Sequence, residues 1–485
     1  MSITRQFSKG VAWMAAGNWL EQAINFIVFV VLARLLGAEA FGLLAMATAF
    51  VILSEFLVRE TLSEFLIATP DPEDAHFNAV FWSLAGLGGV LAALLLIFAG
   101  PIAAFYGAGQ VRGLIAALSP TVVMIALTAV PVALLRRELQ FKTLSLRAIS
   151  GVFVGGVVGI GMAAAGFGVW SLAGQRLAQV ATNILMAWGA VRWRPGLSTS
   201  QRHLREVIGF GGQVLGLRAA ELALAQSPSV IIGATLGPAA LGLFSIAWRL
   251  VEIASFLIVT PLRMAAQPAF AAMTRQGARA ADLLIDISRL SGLAAFPAFA
   301  GLAVLAEPVL HLFFGAKWMP AAPALSVLAL VGLYFCIEKV QQSFCLAAGR
   351  AGAITALAWA EVILGAALIW VATRWGLVAV AAAFVVPRYL LWIFRFRVVA
   401  SIGGLRVRDL VSCHLRPAFA ALVMAAGVLA VARATEGFAP AIPLAAGFVT
   451  GVLLFAGLTF LLMPDRVALL KTYVGNPREN SAKQG

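Results

Sequence analysis

Apolar runs of membrane-crossing length, separated by short polar breaks, account for nearly the whole chain. A helix rises about 1.5 Å per residue, so about 20 mostly apolar residues cross the hydrocarbon layer. Fourteen such runs are predicted as helices: 11–36, 41–67, 77–105, 114–135, 146–166, 169–191, 207–236, 239–270, 287–314, 321–348, 351–372, 377–396, 417–432 and 438–463. The first run contains Asn18, Glu21, Gln22 and Asn25 and lacks a small-x-small site after a short apolar stretch. It reads as a retained span and not as a cleaved leader.

The pattern repeats at a spacing of 200 residues. Positions 36–51 read LGAEAFGLLAMATAFV and positions 236–251 read LGPAALGLFSIAWRLV, with seven of sixteen identities that include Gly37/Gly237 and Gly42/Gly242. Both segments are the tight corner between the first and second helix of a six-helix block, and Glu21 and Glu221 fall in the same register. Six helices per block give both halves the same orientation, which expects a site where the repeats meet. The predicted organisation is an N-lobe at 1–205, a C-lobe at 206–400, two further helices at 401–464 and a cytoplasmic tail at 465–485.

Composition agrees with this pattern. Hydrophobic residues make up 62% of the chain and charged residues 12%, where soluble domains carry about a quarter charged residues. The net charge of +14 raises the question of a nucleic-acid partner. Sorting the 35 Lys/Arg along the spans, with the N-terminus inside, places 23 in cytoplasmic segments, four outside and eight within spans. The excess is therefore topological, following the positive-inside rule, and no nucleic acid is expected. Both termini are expected in the cytoplasm, with the acidic turn Asp71, Glu73, Asp74 as the dissenting cytoplasmic loop.

Ionisable groups inside spans are costly, at about 3 kcal/mol each near mid-bilayer, so they are expected to face protein or water. The first helix aligns Asn18, Glu21, Gln22 and Asn25 on one stripe, and the tenth aligns Glu338, Gln341, Gln342 and Cys345 beside Lys339. Glu55/Arg59, Arg218/Glu221 and Arg249/Glu252 have spacings that pair opposite charges on one helical face. Such pairs serve either as glue between helices or as the lining of a polar cavity. Their recurrence in both halves favours the cavity. The expected substrate-binding set is Arg59, Arg218, Arg249, Lys339, Glu21, Asn25, Glu55, Glu221, Glu252, Glu338, Gln341 and Gln342. Arg34, Arg263 and Arg388 are expected to snorkel, and Arg395 is counted in a cytoplasmic segment. Gly151, Gly155 and Gly159 have the spacing of close helix packing. Cys336, Cys345 and Cys413 form no disulfide or metal framework, and His76, His203, His311 and His414 read as interfacial residues. The chain has no G-x-x-x-x-G-K-[ST] sequence and no sizeable outer loop, so ATP hydrolysis and enzymatic readings are disfavoured.

The corner ARLLGAEAFGLLAMATAF and the basic stretch LLRRELQFK (134–142) resemble the Wzx-like polysaccharide flippases of the MOP exporter superfamily. The resemblance implies an all-α polytopic membrane protein of about 14 transmembrane helices, in two six-helix lobes of the MATE-like type plus two C-terminal helices. It further implies alternating access and a polyprenyl-diphosphate-linked oligosaccharide as cargo, for lipopolysaccharide or exopolysaccharide biosynthesis at the bacterial inner membrane. Arg59 and Arg249 take plausible counterparts of the cavity arginines of related flippases, whereas Glu21 stands where an arginine is found in the first helix of lipid II flippases. No cofactor is expected, coupling to H+ or Na+ stays open, and membrane lipids and other polysaccharide-assembly proteins are the expected partners. A cation-coupled multidrug-type exporter and a non-transporting envelope scaffold are the competing readings. The last two helices count against the first of these, and the polar interior against the second.

Overall fold

The computed structural model describes residues 3–68, 73–196, 201–275 and 280–462, with side chains outside 3–12, 59–65, 67–68, 201–220 and a few single positions. Among them the chain is almost entirely helical: α1 (Ile3–Leu35), α2 (Ala38–Ala68), α3 (Asp74–Tyr106), α4 (Gln110–Arg137), α5 (Phe141–Ala164), α6 (Trp170–Ala190), α7 (Gln201–Arg275), α8 (Ala280–Val304), α9 (Ala306–Phe314), α10 (Ala322–Ala347), α11 (Ala351–Ala372), α12 (Leu377–Gly403), α13 (Val407–Ala434) and α14 (Ala441–Leu462). Among the described residues twelve helical stretches are long and apolar enough to cross a membrane. The difference from fourteen has two sources. α7 runs through two predicted spans and breaks at Gly237, whose φ of 80° is a conformation open to glycine at little cost. α6 carries Gln175, Arg176, Gln179 and Asn183, which lower its hydropathy.

The chain divides into two compact units, Met1–Ser245 and Ile246–Gly485. The division falls inside α7, about 40 residues beyond the predicted lobe boundary at 205/206.

In the first unit the glycine run of α5 packs on α6, as its spacing predicts. A side chain on Gly151 would strike Asn183, and one on Gly155 or Gly159 would strike Gln175. The opposite side of α5 receives α1, with Gly17 against Ser145 and Val28 against Gly156. Past the end of α6, Gly196 is clamped to α3 by two hydrogen bonds. Its N–H donates to Asn78 Oδ1 at 2.8 Å, and its carbonyl accepts from Trp82 Nε1 at 2.9 Å. The two repeat corners meet reciprocally. A Cβ on Gly42 would lie 1.7 Å from the Pro238 carbonyl oxygen, and one on Gly242 would lie 1.8 Å from that of Ala38. Ala38 and Pro238 are themselves equivalent under the 200-residue offset, so the contact is reciprocal between equivalent positions of the repeat.

In the second unit α10 is the central helix, buried along nearly its whole length from Ala322 to Cys345. It packs against α8 and α12, while α13 joins α8 and α14. α14 buries only Gly447, Gly451 and Thr459, and exposes Phe448, Leu453, Phe460 and Leu461. An all-apolar helix with so narrow a buried stripe suits contact with lipid.

Candidate functional site

Two buried layers of ionisable groups interrupt the apolar helices, one in each unit. In the first unit Glu55 on α2 is buried, and among the described residues its partners come from α4 and α6. Arg176 of α6 reaches Glu55 Oε2 at 2.5 Å, and the Thr121 hydroxyl of α4 donates to Oε1 at 2.8 Å. The physical reason is rotational. Position 55 faces α4 and α6, where a desolvated carboxylate is best satisfied by donors from the helices it is packed against. The side chain of Arg59 lies outside the described residues, as does that of Arg218. Glu21 and Asn25 on α1, and Glu221 on α7, are half-buried.

The layer in the second unit is larger and joins three helices. Arg395 of α12, 4% exposed, reaches Glu361 Oε1 of α11 at 2.9 Å and Glu338 Oε1 of α10 at 3.4 Å. The Tyr334 hydroxyl donates to the same Glu361 oxygen at 2.5 Å. Lys339 Nζ lies 3.2 Å from Glu338 Oε2 and donates to Gln342 Oε1 at 3.3 Å. Arg388 of α12, also buried, donates to the Phe384 carbonyl, and its guanidinium sits 3.8 Å from the centre of the Phe384 ring. The layer thus holds three cations against two carboxylates, an excess of one positive charge in an apolar surround. Gln341, 1% exposed, has no partner for either amide atom among the described residues. An unsatisfied buried amide costs about 1–3 kcal/mol, which a bound water or ligand group would recover.

Glu338, Lys339, Gln341 and Gln342 thus occupy a shared segment of α10, as the amide stripe predicts. Two expectations are corrected. Arg388 does not snorkel, because its position on α12 turns it toward α10 and α11. Arg395, counted outside the spans, is buried within α12, which continues two turns past it to Gly403 as part of one stretch long and apolar enough to cross a membrane. Arg395, Glu361, Tyr334, Arg176 and Thr121 are the partners that the sequence reading missed. Glu361 did carry a signal, as the one acid in the span 351–372, where an unpaired charge is expensive. His414 is also corrected. It is buried within α13, which starts ten residues before the predicted span, and Nδ1 lies 2.8 Å from the Leu410 carbonyl and 3.1 Å from Cys413 Sγ.

Arg249 and Glu252 form their predicted pair at 3.2 Å, with Trp248 Nε1 donating to the other Glu252 oxygen at 2.9 Å. Their side chains are 41% and 43% exposed, so this pair is accessible where the Arg395 network is not.

An aromatic wall borders the buried layer of the second unit. Tyr334 packs against Tyr389 and Trp392, with ring centres 6.2 and 6.4 Å away. On the far side of Tyr389 and Trp392 lies a cavity of about 600 Å³ between α8, α10, α12 and α13, lined almost wholly by apolar groups such as Phe296, Leu330, Ile393 and Leu422.

Residues 31–323 match the family described as "Polysaccharide biosynthesis protein". The chain is 26% identical over 323 residues to the succinoglycan biosynthesis transport protein ExoT of Rhizobium meliloti, covering 67% of this chain and 65% of that protein. It is 24% identical over 353 residues to the teichuronic acid biosynthesis protein TuaB of Bacillus subtilis, covering 72% and 73%. It is 22% identical over 356 residues to the lipopolysaccharide biosynthesis protein WzxC of Escherichia coli, covering 72% of each. Among solved structures, the lipid II flippase MurJ in an inward closed conformation superposes with a TM-score of 0.75 at 13% identity, over 94% of this chain and 99% of that one. An inward-facing multidrug resistance MATE family transporter of the MOP superfamily gives 0.56 at 16% identity, over 79% and 96%. These likenesses show that the chain shares the fold of those two transporters.

Proposed function

We infer the activity from the premise that the chain belongs to the polysaccharide biosynthesis protein family: it is a multi-pass membrane flippase that carries a polyprenyl-diphosphate-linked oligosaccharide across the cytoplasmic membrane by alternating access. Transport is secondary, with both termini in the cytoplasm. The observation that carries this reading is the polar layer of Glu338, Lys339, Glu361, Arg388 and Arg395 with its positive excess, set beside an apolar cavity across the Tyr389–Trp392 wall. A diphosphate on an isoprenoid chain has this division, an anion joined to a long apolar tail. The relatives named for succinoglycan biosynthesis transport and for lipopolysaccharide biosynthesis support the same cargo class.

The test is depletion of the protein in a strain without a redundant exporter. Surface or secreted polysaccharide should be lost while its lipid-linked precursor accumulates on the cytoplasmic leaflet, measured by extraction and by leaflet-selective labelling. Normal polysaccharide output would refute the reading. Raised drug sensitivity without precursor accumulation would favour a multidrug exporter.

Arg249 is the cation best placed for a transient contact with the diphosphate, because it is accessible and its partner Glu252 is a local one. An exposed pair contributes about 0–1 kcal/mol to stability, so Arg249→Ala should insert and fold nearly normally. Loss of a charge-assisted contact of about 1.5–3 kcal/mol should weaken cargo affinity roughly ten- to a hundredfold. Arg249→Lys should restore only part, since the planar fork is gone. Export per inserted molecule measures this, and unchanged export in Arg249→Ala would remove Arg249 from the site.

A further inference from the structure

A second cavity, polar where the first is apolar, lies at the end of the second unit remote from the α12–α13 turn. It has a volume of about 520 Å³ and opens between α9, the start of α10, the last turn of α13 and the α13–α14 turn. Glu307 and His311 stand one helical turn apart on α9 and share a face. Arg433 ends α13, and Glu436 and Phe438 follow it in the turn. The side chains of Glu307, His311, Arg433 and Glu436 make no hydrogen bond or ion pair with any other described residue.

The turn that presents them is fixed. Thr435 N–H and Oγ1 both bond the Val431 carbonyl, at 3.0 and 2.8 Å, and Glu436 and Phe438 N–H groups close back onto Arg433 and Thr435. Gly437, at φ 95°, makes the reversal, and Pro440 and Pro443 stiffen the exit. Beneath, Leu305, Met424 and Val428 form an apolar core cluster. Side chains of opposite charge thus converge on a preformed cavity without pairing with each other. The Phe438 ring beside them is 61% exposed.

These groups have the chemistry of carbohydrate recognition. Carboxylates and imidazole accept from sugar hydroxyls, guanidinium donates to them, and an exposed aromatic ring offers an apolar face to the C–H side of a pyranose. Two carboxylates against one arginine disfavour a diphosphate. We propose that this cavity is a saccharide subsite that holds sugar residues of the cargo, apart from the basic layer that attracts the diphosphate. The assignment of the saccharide as cargo rests on the flippase reading. In the proposed orientation the subsite faces outward, where the saccharide leaves.

The test uses the full chain in nanodiscs and two probes, measured by calorimetry. The first is the oligosaccharide released by mild acid from the host strain's own surface polysaccharide, and the second is inorganic diphosphate. The double variant Glu307→Gln/Glu436→Gln, and separately Phe438→Ala, should each weaken saccharide binding at least tenfold and leave diphosphate binding within twofold of the parent. Equal saccharide affinity in parent and variants would overturn the proposal, as would absence of saccharide binding by the parent. Parallel loss of both probes would also overturn it, since the residues would then be acting through the fold. Normal polysaccharide output on depletion defeats the flippase reading instead, and leaves a measured saccharide site standing.

Discussion

Arg395→Ala should destabilise the protein by about 3–5 kcal/mol, the usual range when one partner of a buried ion pair is removed. The substitution strands Glu361 and Glu338, 4% and 7% exposed, without the guanidinium that lies within 3.4 Å of both. Lys339 stays beside Glu338, so Glu361 bears most of the loss and keeps only the Tyr334 hydroxyl. Glu361→Gln in the Arg395→Ala background should therefore recover a large part, because a neutral amide avoids the charge-burial cost. Arg395→Lys should fall between, with one ammonium in place of a two-pronged donor. Unfolding in a fixed detergent, followed by loss of tertiary signal, measures the series. A cost below about 1 kcal/mol for Arg395→Ala would mean that the carboxylates reach water and that the layer is open. The contrast with Arg249→Ala separates structural from functional cations, since one should lose folded protein and the other export per folded molecule.

Gly42→Ala and Gly242→Ala should each cost about 3 kcal/mol, at the upper end of what overpacking does. A methyl at either position falls within 2 Å of a backbone carbonyl oxygen, Pro238 for Gly42 and Ala38 for Gly242, and a backbone carbonyl cannot rotate aside as a side chain can. Both changes open the same contact, so the double variant should cost less than the two singles added together. Gly89→Ala is the control, because nothing lies within 4 Å of its built Cβ. There the change from glycine to alanine within a helix should be neutral or stabilising by up to about 1 kcal/mol. If Gly42→Ala and Gly242→Ala behave like Gly89→Ala, the reciprocal contact is not part of the folded state.

The same two glycines show how far local pattern reaches. Gly42 and Gly242 stand out in the sequence as members of a repeat, and Gly151, Gly155 and Gly159 as a small-residue stripe. In both cases the close approach is legible because only glycine tolerates it. Helix existence and span order are legible for a related reason. In lipid every backbone group must be satisfied within its own helix, so length and hydropathy are nearly sufficient to mark the elements. The boundary that slipped furthest is where polar residues lie at a helix start, in the first turns of α13.

Charge pairing was legible only where it is local. Arg249 and Glu252, three residues apart on one helix, pair as their spacing requires. Glu55 is also reached by Arg176, 121 residues away on α6, and Arg395 draws its two carboxylates from α10 and α11, and no spacing along one helix announces either contact. Spacing along one helix specifies which residues share a face. Which face meets which helix depends on the rotation and depth at which each helix packs, and these are set by the sum of many apolar contacts across the unit. A burial cost that demands a partner can be read at Glu361 from its apolar neighbours alone; the identity of that partner, Arg395, comes from the packing of α11 against α12.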